Sequence, residues 1–544
     1  MAKVYATPGV YIEEKSAFPN SAVPVATAVP AFIGYTEKAI RGKKPLKNVP
    51  TRISSYNDYL LLFGGAPKAT YTLKEVATGA PKDVRYTLEP KDNRFILHSC
   101  MKMFFANGGT DCYIVSVGTY DEAKKVDGQA LMDGIEPLKK EPEPTMLVIP
   151  EAVIDREQYA PILGAMLLHC GQVMRNRVAI FDVLDGDYVP GPGKERTTKE
   201  IIKKFRDDVG TNHLQWAAAY YPWLEMTAVS SNDLNFKNFS NIGAVDGIVD
   251  FEDNPNAGQS NQPAKILAAD KVTAQKAAFE APDGGTLIRL LDLNLNLEFQ
   301  DGLVSLARAE EIKAELKKVP TVAEDDVNTL HQTLLAISPA YKAALNDLKK
   351  TINVLPPSAI MAGIYSMVDN SVGVFQSPAN VSVGSVVEPV VSLTNEEQED
   401  LNMPLTGKAV NAIRTFPGKG VLVWGARTLD GNSQDWRYIS VRRTVIFIEQ
   451  SIKYAAEAYV FQPNVSATWT NLRALITNFL TNVWQQGALA GATPEDAFSV
   501  DVGLGTTMTA VDILDGIMRI TVKIAVTRPA EFIVITFQQQ MQKS

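Results

Sequence analysis

Short apolar runs alternate with helical stretches along the first part of the chain. The predicted strands are 29–35, 111–117, 145–150, 177–183 and 215–223, and the predicted helices among them are 94–106, 158–174 and 198–209. Short apolar runs indicate buried strands, and apolar residues at a period of about 3.6 indicate helices. Strands that alternate with helices are typical of βαβ units, in which a parallel sheet is covered on both faces. The pattern predicts an α/β core.

This alternation stops over residues 225–350, where polar turn-forming residues replace the apolar runs. Residues 230–263 are rich in Asn, Asp, Gly and Ser, and from Lys271 onward helical stretches alternate with polar turns. Such residues favour turns because they tolerate unusual backbone angles or bond to their own backbone. We therefore predict an inserted surface domain here, and the alternation resumes at Ile352. Residues 41–95 are basic and weakly periodic, which predicts irregular or small β structure.

Two long amphipathic helices are predicted further along the chain. The first carries an apolar face made of Ile448, Ile452, Ala455 and Tyr459. The second carries an apolar stripe made of Trp469, Leu472, Ile476, Phe479 and Val483. Glu449, Lys453 and Glu457 line another face of the first helix, because residues one helical turn apart are neighbours. This charged face is predicted to be either solvated or in contact with a partner.

Each end of the chain carries a strand-like segment without an obvious partner nearby. The candidate residues are Val10, Tyr11 and Ile12 at one end and Glu531, Phe532, Ile533, Val534 and Ile535 at the other. Pro19, Pro24 and Pro30 favour an extended tether after the first segment. An unpaired strand exposes backbone donors and acceptors, so it aggregates or adds to a neighbour's sheet. The two ends therefore predict inter-subunit strand arms.

The composition is that of an ordinary folded protein. The 544 residues are 46% hydrophobic and 21% charged, with a formal net charge of −8 and a pI near 5.4. The acidic balance argues against a nucleic-acid or anionic-membrane binder. No apolar run reaches the roughly 18 residues that a membrane helix needs, so we expect no membrane insertion. Cys100, Cys112 and Cys170 fit no disulfide framework, which favours a reducing compartment and a cytosolic origin.

The sequence offers no recognised metal or cofactor site. None of the four histidines, His98, His169, His213 and His331, has a zinc-ligand spacing. His98 and Cys100 form an HxC pair, but buried structural residues are the favoured interpretation. The segment 190–194, Pro-Gly-Pro-Gly-Lys, lacks the first glycine and the final Ser or Thr of a phosphate loop, so we interpret it as a turn. We therefore expect no metal and no cofactor.

Asp182, His213 and Ser358 occur in the chain order of subtilisin-type proteases. That order alone is common in a long chain, and Ser358 follows two prolines without a glycine-rich nucleophile setting. We therefore predict no catalytic residues and interpret Ser358 as a turn residue. A soluble oligomeric α/β hydrolase is nevertheless a function that such a fold could have, and it is kept as the alternative to the structural role described below.

Several short motifs follow one another along the chain in a fixed order. They are Pro8-Gly9-Val10-Tyr11-Ile12-Glu13-Glu14, Phe32-Ile33-Gly34-Tyr35-Thr36, Tyr220-Tyr221-Pro222-Trp223-Leu224, Leu355-Pro356-Pro357-Ser358, Ala362-Gly363-Ile364-Tyr365, Ser377-Pro378-Ala379-Asn380, Asn411-Ala412-Ile413-Arg414, Trp424-Gly425-Ala426-Arg427-Thr428-Leu429 and Pro529-Ala530-Glu531-Phe532-Ile533. Their order, which is more specific than any single motif, resembles that of contractile tail sheath proteins of phages, tailocins and extracellular injection machines. The resemblance covers about residues 1–40, 90–224 and 352–544, and the chain departs from the pattern over residues 225–350.

The resemblance implies a fold with a central subtilisin-like wound α/β domain without protease activity, an α+β C-terminal sheath domain, and extended N- and C-terminal strand arms. The implied division is 1–28 arm and tether, 29–140 N-terminal part of the core with a small irregular or β outer region, 141–224 central α/β domain, 225–350 inserted outward-facing domain, 351–410 return to the central domain, 411–527 C-terminal tube-facing domain and 528–544 C-terminal strand arm. Glu449, Lys453 and Glu457 become tube-facing candidates.

The resemblance also implies a function. The chain would be a structural subunit that polymerises helically around an inner tube and contracts to drive the tube through a target envelope. Its partners would be copies of itself, in a helical homo-oligomer of stacked rings, the inner tube protein, and baseplate and terminal cap proteins. It would assemble in the bacterial cytoplasm and become part of a phage tail or a released tail-like particle. No nucleic-acid partner is expected.

Overall fold

Most of the chain is described by the computed structural model, namely residues 22–75, 86–90, 94–123, 125–191, 194–240, 331–332, 335 and 339–535. Within these residues the strands are β1 Pro30–Thr36, β2 Ile40–Arg41, β3 Lys44–Pro45, β4 Thr51–Ile53, β5 Tyr71–Glu75, β6 Tyr86–Pro90, β7 Cys112–Thr119, β8 Met146–Val148, β9 Val178–Asp182, β10 Ala217–Tyr221, β11 Leu224–Met226, β12 Val354–Leu355, β13 Val381–Ser382, β14 Val386–Pro389, β15 Asn411–Phe416, β16 Gly420–Trp424, β17 Phe498–Val502 and β18 Ile520–Ile524.

A nine-stranded sheet organises the larger part of the molecule. Its strand order is β13-β16-β15-β10-β9-β8-β1-β7-β4. The six strands from β15 to β7 in that order run parallel, while antiparallel pairs close both edges. Strands β1, β8, β9 and β10 are buried along their whole length, because helices cover both faces of the sheet. The prediction of a mixed α/β core with a largely parallel sheet is confirmed.

The helices of the described residues surround this sheet and continue beyond it. They are α1 Tyr56–Phe63, α2 Leu97–Ala106, α3 Gly128–Asp133, α4 Tyr159–Leu168, α5 Thr198–Asp208, α6 Pro339–Asn353, α7 Ser358–Ser371, α8 Asn395–Asn402, α9 Ile439–Glu457, α10 Ser466–Gln485, α11 Pro494–Ala497 and α12 Ala510–Leu514. The predicted helix 158–174 is divided, since α4 continues as a π-helical turn, His169–Met174.

Two hydrophobic cores meet within α9. Ile446 belongs to the core around the nine-stranded sheet, and Ile448 belongs to a second core built mainly from α9, α10 and the β17–β18 pair. The predicted apolar stripes of α9 and α10 both line this second core, except for Trp469. Strands β15 and β16, which follow the boundary predicted at residue 411, lie in the large sheet. One continuous helix therefore joins the two cores.

The described ends of the segment 225–350 are part of the packed structure. Strand β11 pairs antiparallel with β12 and β14, and Lys350 of α6 lies 3.4 Å from Glu225. Phe239 and Tyr341 are both buried and their rings pack edge to face. The remainder of the predicted insertion, residues 241–330 with 333–334 and 336–338, lies outside the described residues.

Candidate functional site

Two members of the possible catalytic set, Asp182 and Ser358, do lie together. Asp182 ends β9, and its Oδ1 accepts a hydrogen bond from the Ser358 backbone N–H at 2.7 Å. The Ser358 hydroxyl donates to Oδ2 at 2.5 Å, and both residues are buried. Burial raises the pKa of Asp182 to about 7, against the two hydrogen bonds that lower it. This carboxyl group therefore holds the first turn of α7, where backbone N–H groups lack helical partners.

The third member, His213, lies at the other end of the strands. It precedes β10, and its side chain packs against Gly171 in the π-helical turn before β9. Asp182 instead pairs with Tyr220, near the carboxyl end of β10. Three residues of strand already span about 10 Å, so His213 cannot act as the base for Ser358. The interpretation of Ser358 as a turn residue is wrong, because it begins helix α7.

A second buried carboxyl group, on Glu151, has a comparable structural role. Its Oε2 accepts the Tyr35 backbone N–H at 2.8 Å, and its Oε1 accepts those of Ile96 and Leu97 at 2.9 and 3.2 Å. Burial raises the pKa of Glu151 to about 7, although these three bonds lower it. A Cβ at Gly34 would lie 2.7 Å from Oε2, so only glycine leaves room for the carboxyl group. Glu151 thus joins β1 to the start of α2.

Neither carboxyl group is part of a metal centre within the described ranges. No cluster of three or more His, Cys, Asp or Glu residues there could hold an ion. Cys100, Cys112 and Cys170 are buried free thiols whose pKa values are raised by burial. A membrane-spanning helix is likewise not found among the helices that the structure describes.

The C-terminal candidates behave differently, beginning with Glu531. Arg427 Nη2 donates to Glu531 Oε2 at 2.6 Å, and Arg427 Nε donates to Oε1 at 3.0 Å. Asn402 Nδ2 donates to Oε1 at 2.7 Å, and the Tyr438 hydroxyl donates to Oε2 at 3.0 Å. Arg427 is only 2% exposed, while the Glu531 side chain is 20% exposed. The contact is a bidentate and largely buried ion pair, and charge-assisted hydrogen bonds of this type are stronger than those between neutral groups.

The electrostatics of this contact favour the ionised Glu531. Partial burial alone would raise the pKa of Glu531, but the hydrogen bonds from Arg427 and Asn402 and the charge of Arg427 together hold it below its ordinary value. Arg427 also donates to the backbone oxygens of Asn402 and Gly431. We call Glu531 with Arg427, Asn402 and Tyr438 the arm root.

Beyond the arm root the chain leaves the molecular surface. Phe532, Ile533, Val534 and Ile535 are 66%, 79%, 89% and 70% exposed. They belong to no strand, and no hydrogen bond from them is found within the described residues. Four consecutive large apolar residues in this state form an unpaired segment of the type that natural proteins normally cover. The predicted C-terminal segment is thus fixed at Glu531 and exposed over residues 532–535.

The β17–β18 pair is the complementary feature. These antiparallel strands match Phe498 with Ile524 through Val502 with Ile520. Phe498 and Val500 are buried in the second core, and alternate residues of β18 pack against that core. Neither strand pairs with a third strand among the described residues. A two-stranded sheet is marginal alone, and both of its outer edges keep backbone groups available.

The remaining predicted site residues are placed as follows. Val10, Tyr11 and Ile12 lie outside the described residues. Glu449, on α9, lies 3.5 Å from Arg442 of the same helix, and burial raises the pKa of Glu449. Lys453 and Glu457 are exposed, and the Lys453 ammonium lies 5.6 Å from the centre of the Tyr454 ring.

Sequence reasoning did not find the partners of Glu531. Arg427 belongs to one of the sequence motifs, but the motif does not indicate its partner. Asn402 and Tyr438 belong to none of the motifs. A single arginine or asparagine gives no signal of burial, because its partner lies about a hundred positions away, as with Arg427 and Glu531. The same applies to Glu151, which bonds residues on both β1 and α2.

Comparison with known proteins adds an independent observation. A family model described as phage tail sheath C-terminal domain matches residues 432–540. A chain in the contracted PVC sheath complex, an extracellular contractile injection system, is 26% identical over 99% of both chains, with a TM-score of 0.55. A chain in the contracted helical sheath of the anti-feeding prophage is 26% identical over 99% of this chain and 100% of that chain, also with a TM-score of 0.55. None of the curated proteins matches the sequence significantly.

These findings agree with the geometry. The matched residues 432–540 include the β17–β18 pair, the exposed segment and all of the second core except Ala22 and Phe375. The similar solved chains are structural sheath subunits and not hydrolases, and the Asp182–Ser358 pair lacks a histidine base. The chain is similar to contractile sheath proteins over its whole length and matches the phage tail sheath C-terminal domain over residues 432–540, so its function is that of a structural subunit of a contractile sheath.

Proposed function

We propose that sheath subunits of this protein join by strand exchange, with residues 532–535 adding to the β17–β18 sheet of a neighbour. The observation that carries the proposal is the contrast within the C-terminal segment, which is held tightly at Glu531 and has four exposed apolar residues immediately after it. A fixed root restricts the directions that the arm can take. An arm with a restricted direction loses less conformational entropy when it pairs.

The energetics suit a joint between subunits. Each backbone hydrogen bond that the arm forms contributes about 0.5–1.5 kcal/mol, and each large apolar side chain that is covered contributes about 1.5–3 kcal/mol. Residues 532–535 are apolar at every position, so a strand made from them would need cover on both faces. We therefore expect the arm to lie inside an assembled interface and not on its outer surface.

We further propose the finer assignments that the sequence suggested. Val10, Tyr11 and Ile12 form the second arm, and the two arms extend from a subtilisin-like central domain and an α+β C-terminal domain. The subunits form helically stacked rings around an inner tube, between baseplate and terminal cap proteins, and they assemble in the bacterial cytoplasm. Arms that stay paired while the subunit bodies rotate would keep the lattice connected during contraction, because contraction needs two discrete packings of the same subunits.

Glu449, Lys453 and Glu457 remain the proposed tube-facing residues. Lys453 and Glu457 are exposed on α9 and can supply weak, salt-sensitive contacts that break when the sheath contracts. Glu449 contributes less, because Arg442 already lies 3.5 Å from its carboxylate and is itself stacked against Trp216 and Trp436.

The direct test removes the arm and keeps its root. A variant that ends at Glu531 retains the contacts with Arg427, Asn402 and Tyr438 but lacks residues 532–544. We expect its circular dichroism and melting temperature to match those of the full chain, because the described part of the removed segment is exposed. In negative-stain electron microscopy it should form no long sheaths. Long sheaths from this variant would contradict strand exchange by the C-terminal arm.

A matched control separates the contribution of the arm's backbone from that of its apolar side chains. Replacing residues 532–535 by four serines keeps the length and the backbone donors but removes the apolar side chains. We expect this variant to assemble weakly, at concentrations well above those that the full chain needs. If neither the full chain nor any variant polymerises, the proposed assembly itself fails, whatever the role of the arm.

A further inference from the structure

A basic hairpin protrudes beside one edge of the nine-stranded sheet. Strands β2 and β3 pair antiparallel across Gly42 and Lys43, and residues 38–47 contain five cationic and no acidic residues. The cationic residues are Lys38, Arg41, Lys43, Lys44 and Lys47, all of them exposed. Lys47 lies 3.6 Å from Glu122, whereas Arg41, Lys43 and Lys44 have no ion pair within the described residues.

The hairpin is held in a defined position. Leu46 is 3% exposed and lies in the main core, so it fixes the second strand to the body. The Leu46 N–H donates to the Ala39 oxygen, and the Asn48 N–H donates to the Ser116 oxygen on β7. Gly42 has a φ of +63°, which a tight hairpin turn requires, and a Cβ there would meet no atom within 4 Å. The tip is therefore a rigid, fully accessible cationic surface.

An acidic helix is bonded to β15, toward the opposite edge of the same sheet. Helix α8 contains Glu396, Glu397, Glu399 and Asp400 and no basic residue. Its inner face is occupied, because Asp400 pairs with Arg206 at 2.9 Å and Glu397 caps the helix at Thr394. Leu401 is buried in the core.

The outer face of α8 is left to solvent. Glu396, Glu399 and Met403 follow one another at helical spacing, and all three are exposed. Neither Glu396 nor Glu399 forms an ion pair in the part of the chain that the structure describes. Leu405, just after the helix, is completely exposed. This outward stripe combines two carboxylates with two apolar side chains.

The two surfaces are far apart in one subunit. The hairpin follows β1 and precedes the edge strand β4, whereas α8 is bonded to β15 through Arg414. Six strand-to-strand steps separate β4 from β15 in the sheet. At about 4.8 Å for each step, the separation is roughly 29 Å. The hairpin and the helix therefore cannot neutralise each other within a single subunit.

We propose that the basic hairpin of one sheath subunit docks on the outward face of α8 of a second copy. This inference rests on the self-assembly of the sheath but not on the strand arms. Two different, complementary patches that lie far apart on a subunit can form a head-to-tail contact, and repetition of such a contact closes a ring or builds a helix. Lys43 and Lys44 at the hairpin tip meet Glu396 and Glu399 in this contact.

The chemistry of the contact suits a lattice that rearranges. Exposed ion pairs are individually weak and are screened over roughly 8–10 Å at ordinary salt. They set orientation and suppress wrong pairings more than they add affinity. A contact of this kind defines the neighbour in one packing and can be released in another, while strand arms keep the subunits connected.

Charge reversal in both surfaces provides the test. We expect the variants Lys43→Glu/Lys44→Glu and Glu396→Lys/Glu399→Lys each to raise the protein concentration needed for sheath formation about tenfold or more, because like charges then face each other. Combining all four substitutions in one chain restores complementarity with reversed sign, so it should return that concentration to near the wild-type value. Sedimentation and negative-stain microscopy at low salt measure both effects.

The control is Lys139→Glu/Lys140→Glu, which makes the same change of charge at two adjacent exposed lysines away from the hairpin. This control should assemble like the wild type. Circular dichroism identifies any variant that loses its fold, and replacing Glu396 and Glu399 by Gln gives a milder second form of the helix variant. Normal assembly of either reversed variant, or a fourfold variant that assembles no better than the two reversed variants, would overturn the proposal. The proposed function would still stand in that case, provided that the wild-type protein forms sheaths in the same assay.

Discussion

The nine-stranded sheet and the β17–β18 sheet of this protein differ in how complete they are. The nine-stranded sheet closes both edges with antiparallel strands from its own chain, and its central strands are fully buried. The β17–β18 sheet has two strands, one face on the second core, and no third strand within the described residues. The first sheet is stable as a unit, whereas the second offers backbone groups to another chain.

Buried polar groups show the same difference. Around the large sheet, the carboxyl groups of Glu151 and Asp182 accept five hydrogen bonds in all. In the C-terminal segment, Glu531 is equally well bonded, but the four residues that follow it are exposed and unpaired. A subunit that must fold alone and then assemble needs both kinds of region. If the proposed strand exchange holds, folding and assembly are encoded in separate parts of the chain.

The largest expected effect on stability is at Glu151. In the wild-type protein both carboxyl oxygens of Glu151 accept backbone N–H groups. Glu151→Gln replaces one of these oxygens by an amide N–H₂, which is a donor, so at least one buried backbone N–H loses its acceptor. We expect a loss of about 3 kcal/mol in the free energy of unfolding. Chemical denaturation followed by circular dichroism measures it. A loss below about 1 kcal/mol would show that the large sheet does not depend on this carboxyl group.

Glu531→Ala tests the arm root and should have the next largest effect. It leaves Arg427 buried without its carboxylate, and we expect a loss of about 2 kcal/mol, less than for a fully buried pair because Glu531 is partly exposed. Sheath formation should fall as well, because the arm loses its fixed direction. Thermal melts and microscopy together check this prediction. Unchanged assembly would mean that the arm does not need its root.

Asp182→Asn should have a smaller effect on the free energy of unfolding than Glu531→Ala, and this effect should depend on pH. Burial raises the pKa of Asp182 to about 7, so the stability linked to its proton is complete below pH of about 4 and is lost as the pH rises through 7. Asparagine does not titrate, and its amide can donate to the rotatable Ser358 hydroxyl. The wild-type free energy of unfolding minus that of the variant should therefore fall by about 1–2 kcal/mol between pH 6 and pH 8. Denaturant titrations at the two pH values measure this difference, and a constant or rising difference would contradict it.

The smallest effect on stability is expected for Lys453→Glu. Lys453 is exposed and forms no ion pair among the described residues, so the free energy of unfolding should change by less than about 0.5 kcal/mol. Assembly around the tube protein should nevertheless weaken, while polymers without a tube should form normally. Co-sedimentation with purified tube at low salt measures both. Normal extended sheath around the tube would show that α9 is not the tube contact.

The sequence was sufficient for features with a repeating pattern. The alternation of apolar runs and helices predicted the parallel sheet, and the 3.6-residue stripes predicted how α9 and α10 pack. The run of apolar residues after Glu531 predicts a strand arm, which stays a prediction, since residues 532–535 are exposed and form no strand. These signals are local, because neighbouring positions in the chain are neighbours on one face of an element.

Features that depend on single distant contacts could not be predicted. Arg427 and Glu531 are 104 positions apart, and Asp182 and Ser358 are 176 positions apart. Nothing local distinguishes these residues from exposed ones of the same type. The boundary of the inserted segment was difficult for the same reason, since β11 joins β12 and β14 only through long-range pairing.

Electron cryomicroscopy of sheaths polymerised from the purified chain tests the central claim most directly. Strand exchange predicts that the β17–β18 sheet of each subunit gains at least one further strand, formed by residues 532–535 of a neighbouring subunit, while the Arg427–Glu531 contact persists in the donor. A reconstruction in which this sheet stays two-stranded, or in which residues 532–535 fold back onto their own subunit, would contradict the account.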